Sequence, residues 1–118
     1  MINIFIEGNP STLRRVRGDK MRSFKWKRAI IEQTKRCEKV GGPCKMDVIF
    51  YFEANQFPWD FPYGPDIDNH LKSFQDALNE TIFSKAPGKD SCIIEVIAKK
   101  RRGLRKTGVR LRIWPTKN

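Results

Sequence analysis

Ile2, Ile4 and Ile6 alternate with Asn3, Phe5 and Glu7, whereas Ile67, Leu71, Phe74 and Leu78 recur at steps of three and four. A chain that changes between a two-residue and a 3.6-residue hydrophobic period has to pack a sheet against helices. The first pattern is a strand, closed by Gly8-Asn9-Pro10. From about Arg22 to Val40, Trp26, Ile30, Cys37 and Val40, with Phe24 and Ile31 beside them, keep helical spacing among Lys and Arg, and Gly41-Gly42-Pro43 stops that helix. Met46 to Ala54 has the β-branched and aromatic content of a second strand. Ile67, Leu71, Phe74 and Leu78 fall within about 60° of one another at 100° per residue, a narrow buried stripe on a second helix that ends near Phe83. Beyond a turn at Pro87-Gly88, Ser91 to Ala98 and Val109 to Trp114 read as two more strands, expected to close as a β-hairpin. The expected order is β-α-β-α-β-β, an α+β fold in one domain over 1–118, with two helices packed on a small mixed sheet.

The chain holds 24 Lys and Arg against 13 Asp and Glu, a formal net charge of +11. With 39% hydrophobic residues it is too apolar for a disordered basic tail, and the excess charge points to a polyanionic partner. The charge is unevenly spread: residues 1–59 carry 12 basic and 6 acidic groups, 60–90 carry 3 and 6, and 91–118 carry 9 and 1. A packaging protein has no need to collect acid in its middle, whereas an enzyme that cuts phosphodiesters needs cationic grip around an anionic metal pocket. Arg14, Arg15, Arg17, Lys20 and Arg22 form a cationic loop. Lys99, Lys100, Arg101, Arg102, Arg105 and Lys106 crowd the connection between the last two strands, where Gly103 and Gly108 allow turning. Any one basic run is explained by a solvated face; two such runs of one sign make phosphate contact the better reading.

Cys37, Cys44 and Cys92 are odd in number and form no C-x-x-C pair, so a reducing compartment is expected rather than a disulfide framework. Met1 to Glu7 has neither the cationic start nor the apolar run of a signal peptide, and the longest apolar run, Val48 to Phe52, is far short of the about 20 residues of a membrane helix. The expectation is a cytoplasmic protein with no membrane segment.

The most informative stretch runs from Pro65 to Asn79. With Asp66 as N-cap, Asp68, Lys72 and Asp76 follow at steps of four along one flank of the helix. Asp66 and Asp68 can bring carboxylate oxygens together near the helix start, where a hard cation such as Mg²⁺ takes oxygen ligands, and Asp90 at the head of the third strand can add another. Each residue also has a purely structural explanation. Asp66 can cap, Asp68 can complement the helix dipole, Lys72 can pair with Asp68 and Asp76, and Asp90 can be a turn residue. His70 is the only histidine; with no cysteines near it a zinc site is not supported, and a surface position is expected.

Pro65-Asp66-Ile67-Asp68-Asn69, followed by Lys72 and Asp76-Ala77-Leu78-Asn79, resembles the signature helix of the RusA-type Holliday junction resolvases, a family often carried by prophages. A weaker likeness runs over almost the whole chain: a short strand ending in Gly-x-Pro, an arginine-rich loop, a helix with an early Trp, and an acidic residue soon after the signature helix. The resemblance implies that Asp66, Asp68 and Asp90 hold catalytic Mg²⁺, with Mn²⁺ as a substitute, and that Lys72 acts on the scissile phosphate. Asp76 also matches and stands beside the ligands. The resemblance further implies a homodimer that binds four-way DNA junctions and makes two symmetric nicks, working in the cytoplasm, at the nucleoid or in a phage-infected cell. The chain departs at one point: where the family usually has two adjacent aspartates it has Lys89-Asp90.

Two other readings stay open at this level. A non-catalytic nucleic-acid-binding module shares the basic surface, and Phe50 and Phe52 on one strand face are the least that a base-stacking platform requires. A nuclease acting on flaps or forks shares the carboxylates. The aromatics Phe57, Trp59, Phe61 and Tyr63 either stack on unpaired bases or cover the core.

Overall fold

In the computed structural model, residues 1–11, 19–53, 66–103 and 105–116 are described, with 19–22 and 53 described by their backbone alone. They form strand β1 (Ile2–Glu7), helix α1 (Asp19–Thr34), strand β2 (Cys44–Glu53), helix α2 (Ile67–Leu78), a 3-10 turn (Lys89–Cys92) and strands β3 (Ile93–Gly103) and β4 (Gly108–Pro115). The order is the expected β-α-β-α-β-β, and the fold is α+β with a mixed four-stranded sheet.

The strands lie in the order β1-β4-β2-β3; β4 runs antiparallel to both β1 and β2, while β3 runs parallel to β2. Parallel neighbours cannot be joined by a tight turn, so β2, α2 and β3 form a crossover unit in which α2 returns the chain to the starting edge. This corrects the expected closing hairpin: β3 and β4 are consecutive but have β2 between them. Sequence proximity suggests a hairpin, but β4 gains partners on both sides by pairing between β1 and β2. The short link from Gly103 to Gly108 therefore steps over the end of β2, and it does so at close quarters. A side chain at Gly103 would collide with the Lys106 carbonyl, and one at Gly108, whose φ is 145°, with the Ile6 carbonyl.

β2 supplies the core. Cys44, Met46, Val48, Phe50 and Phe52 alternate along it and are all buried, facing Val109, Leu111 and Ile113 of β4 and Ile2 and Ile6 of β1 on the same side of the sheet. Trp26 and Ile30 of α1 and Phe74, Ala77 and Leu78 of α2 close over this face. The Trp26 ring lies where a side chain on Gly8 would be, only 2.7 Å away, which accounts for a glycine after β1 and a tryptophan early in α1.

α1 differs from its expected span of 22–40. It starts at Asp19, so Lys20 and Arg22 belong to its first turns rather than to a loop, and it stops at Thr34. There the Thr34 hydroxyl bonds back to the Ile30 carbonyl at 2.7 Å and to the Thr81 hydroxyl at 2.7 Å, while Val40 N–H donates to the Ile82 carbonyl at 2.9 Å. The chain leaves the helix to pair with the segment after α2. Phe24 is not part of the buried stripe: it is 59% exposed, under the Arg28 guanidinium.

Replacing Gly108 by Ala is expected to lower stability by about 2–4 kcal/mol in urea melts, through a disallowed φ and a backbone collision. Gly41→Ala, with open space around the position, should stay within about 0.5 kcal/mol.

Candidate active site

α2 begins where β2 ends, at the carboxyl end of the parallel pair, the place where crossover units in α/β folds hold their ligands. Asp66 stands at the N-cap with extended backbone, and its carbonyl accepts the N–H groups of Asn69 at 3.1 Å and His70 at 3.2 Å. Its carboxylate makes no capping bond. Asp68, Lys72 and Asp76 are exposed, and the Asp68–Lys72–Asp76 ion pairs that helical spacing allows are not formed. The capping and ion-pair explanations thus find no support, since among the described residues none of these four side chains has a hydrogen-bond or ion-pair partner, while Asp68 does stand in the first turn of α2, where it complements the helix dipole.

What holds them in place is on the other side of the helix. The buried residues of α2 are His70, Phe74, Ala77 and Leu78, with Ile67 and Leu71 only partly covered. The buried stripe is therefore turned from its expected centre, and Asp68, Lys72 and Asp76 lie roughly opposite it at 100° per residue. His70, expected at the surface, is 2% exposed. Its ring packs 4.9 Å from Phe52 and 5.6 Å from Phe50, and Phe74 meets Phe50 edge-on at 5.8 Å. His70 thus pins the first turn of α2 to β2. The signal was in the sequence, because His70 lies four residues before Phe74 on one helix face; its polarity masked it.

The other end of α2 carries a second aspartate. The Asn79 side-chain oxygen, just past α2, accepts the backbone N–H of Asp90 at 3.0 Å and so docks the 3-10 turn. Gly88 and Lys89 both take left-handed backbone, with φ of 75° and 54°, to bring Asp90 there. Left-handed backbone suits Asn or Asp better than Lys, so the lysine costs local strain. Cys92, the last residue of the turn, lies near the buried Cys44 thiol, which burial first and Cys92 second push up to about 12. That thiol is a structural filler and not a nucleophile. At 1.5 Å per residue, Asn79 is roughly 20 Å along the helix from Asp66, so Asp90 does not join Asp66 and Asp68 within one chain. Among the described residues no three His, Cys, Asp or Glu side chains are grouped to hold a metal ion.

The basic run on β3 is divided by the pleat. Lys100 and Arg102 are register partners of Phe50 and Phe52 and share the face covered by α2, while Lys99 and Arg101 pair with Ile49 and Tyr51 on the opposite face. Arg105 and Lys106 are exposed in the link to β4, where Lys106 meets Glu7 at 3.4 Å. The side chains of Arg14, Arg15, Arg17, Lys20 and Arg22, and the aromatic segment 57–63, lie outside the described residues.

Compared with known protein families, residues 8–114 of the 118 match the one described as Endodeoxyribonuclease RusA. The chain belongs to the RusA family. It is therefore an endodeoxyribonuclease, of a family that resolves Holliday junctions, binds branched DNA and depends on a divalent metal. No curated protein matches the chain. No helix among the described residues is long and apolar enough to cross a membrane. The buried Phe50 and Phe52 remove the stacking platform that a RusA-unrelated, binding-only module would have needed.

Exposed side chains without a hydrogen-bond or ion-pair partner leave stability nearly unmoved when replaced. Asp66→Asn, Asp68→Asn and Asp76→Asn should each change the unfolding free energy by less than about 0.5 kcal/mol in urea titrations. His70→Ala, which empties the space between α2 and the two phenylalanines, should cost about 2–4 kcal/mol.

Proposed function

We propose that the chain is a Mg²⁺-dependent endonuclease, with Mn²⁺ as an alternative ion, that binds four-way DNA junctions as a homodimer and opens them by paired symmetric nicks. The observation that carries this reading is the start of α2. There a RusA-family chain presents two carboxylates and a lysine that make no hydrogen bond or ion pair among the described residues. Asp66 and Asp68 offer the hard oxygen donors that such a cation takes. When bound, the ion activates a water and offsets charge on the phosphate undergoing attack. Lys72, one turn along the same exposed flank, places its ammonium against a non-bridging or leaving oxygen. Asp76, a further turn on, adds a third carboxylate to the same exposed flank. Lys100, Arg102, Arg105 and Lys106 at the same end of the sheet, with Arg14, Arg15, Arg17, Lys20 and Arg22, hold the flanking phosphates. With six to ten such contacts, affinity falls by about 10³- to 10⁵-fold between about 50 and 200 mM salt.

Asp90 enters this site across the dimer. A two-fold axis that sets the start of one α2 beside the end of the other brings Asp90 of one protomer to Asp66 and Asp68 of its partner, which the span of α2 prevents within one chain.

The test is cleavage of a synthetic four-way junction, with a linear duplex of equal length beside it, in Mg²⁺ and in EDTA. The expected result is a pair of symmetric nicks on the junction only, abolished by EDTA and reduced about 10²-fold or more by Asp68→Asn. Tight binding with no cutting in Mg²⁺ would overturn the reading, and equal cutting of flaps or forks would redirect it to a broader branched-DNA nuclease. Mixing Asp68→Asn with Asp90→Asn protein tests the shared site. Each variant alone should keep only residual cutting, and the mixture should recover single-strand nicking, since a mixed dimer then holds one complete site; no recovery would place all three aspartates in one protomer.

A further inference from the structure

The face of the sheet turned away from the helices carries charge that the candidate active site does not use. Lys99 of β3, Ile49 of β2, Arg110 of β4 and Phe5 of β1 are register partners and form one row across the sheet, with Arg101 and Tyr51 in the next row. No helix among the described residues covers this face. The Arg110 guanidinium lies 5.5 Å over the Phe5 ring, and that ring sits 6.1 Å from Tyr51. A guanidinium stacked on an aromatic ring keeps its N–H donors pointing outward in the plane, the geometry that fits a phosphate.

The balance of charge on the face identifies what it meets. Arg112 is paired with Asp47 at 3.1 Å, Lys45 with Glu95 at 3.1 Å and Lys106 with Glu7 at 3.4 Å. Lys99, Arg101 and Arg110 have no acidic partner among the described residues; Arg110 reaches only the Asn3 side-chain oxygen, at 3.5 Å. A second copy laid face to face would set these three cations against three more. A nucleic-acid backbone brings the opposite sign at regular spacing.

We propose that the open sheet face is a second DNA-contacting surface, on which Lys99, Arg101 and Arg110 hold phosphates of a duplex arm other than the one presented to Asp66 and Asp68. The sheet stands between this row and α2, yet both lie toward the carboxyl end of β2. An arm gripped on the open face leaves a different arm to reach α2. A branch point supplies two such arms and a straight duplex does not, so the proposal rests on the branched-DNA reading given above.

The experiment is equilibrium binding to a four-way junction and to a linear duplex at salt concentrations from about 50 to 200 mM. It compares Asp68→Asn protein, held in EDTA so that no strand is cut, with the same protein also carrying Lys99→Ala, Arg101→Ala and Arg110→Ala. A matched control carries Lys35→Ala, Arg36→Ala and Lys85→Ala, three exposed cations of the helix layer. Thermal melts establish that all variants are folded. The expected result is a log–log salt slope for the junction that is shallower by about 3, at about 0.9 per lost phosphate contact, with a change less than half as large for the duplex and none in the control. An unchanged junction slope, or equal losses on both DNAs, overturns the proposal. So does conversion of a dimer to a monomer by the triple substitution in sedimentation, which would assign the face to a second copy. A parent protein with no preference for the junction removes the branched-DNA reading and this proposal with it, whereas a preference that survives the triple substitution unchanged removes the proposal alone.

Discussion

The contact of His70 and Phe74 with Phe50 and Phe52 decides where the chemistry of this protein stands. β2 alternates strictly, so Phe50 and Phe52 project to one side of the sheet near its carboxyl end. A helix that crosses back to a parallel neighbour must pass over them. Burying two rings of α2 against two of β2 sets both the height and the rotation of the helix, and rotation is what turns Asp68, Lys72 and Asp76 outward in a line. The carboxylates owe their exposure to a contact made on the opposite side of the same helix. Because packed interiors tolerate little adjustment, that contact holds the site without any bond to the site residues themselves.

The same crossover explains why the aspartates are spread along α2. Asp66 stands at one end of the helix, and Asn79 docks the turn bearing Asp90 at the other. A helix is a rigid spacer, so the distance between these ends is a property of its residue count and not of local flexibility. The three carboxylates are therefore not gathered at one point within one folded chain. The cysteines meet at the same end: Cys44 opens β2 in a buried position near Cys92 of the 3-10 turn, and both are free thiols.

The pleat divides the basic run on β3 between two surfaces. Successive side chains of a strand face opposite ways, so four cations in a row are two pairs on two surfaces, one facing the α2 layer and one on the open sheet. Neutralisation then separates the members of the open face: Arg112, Lys45 and Lys106 are bound to acids, leaving a smaller set of cations aligned across the strands.

The amino-acid sequence by itself determined the element types and their order, because a two-residue or a 3.6-residue apolar period is a local property. It determined the motif as well, since Asp68, Lys72 and Asp76 derive their common flank from helical spacing alone and Asp66 precedes them at the cap. Boundaries were less legible: α1 ends at Thr34 because Thr81, far along the chain, offers a buried hydroxyl, and no local signal carries that. Only the tertiary structure decided the strand order, in which β2 separates β3 from β4. Pairing energy depends on which edges are available once the other strands are in place, and not on nearness in the chain. Tertiary packing also put His70 in the core and Asp90 at the far end of α2, because burial and distance are set by what lies across the sheet.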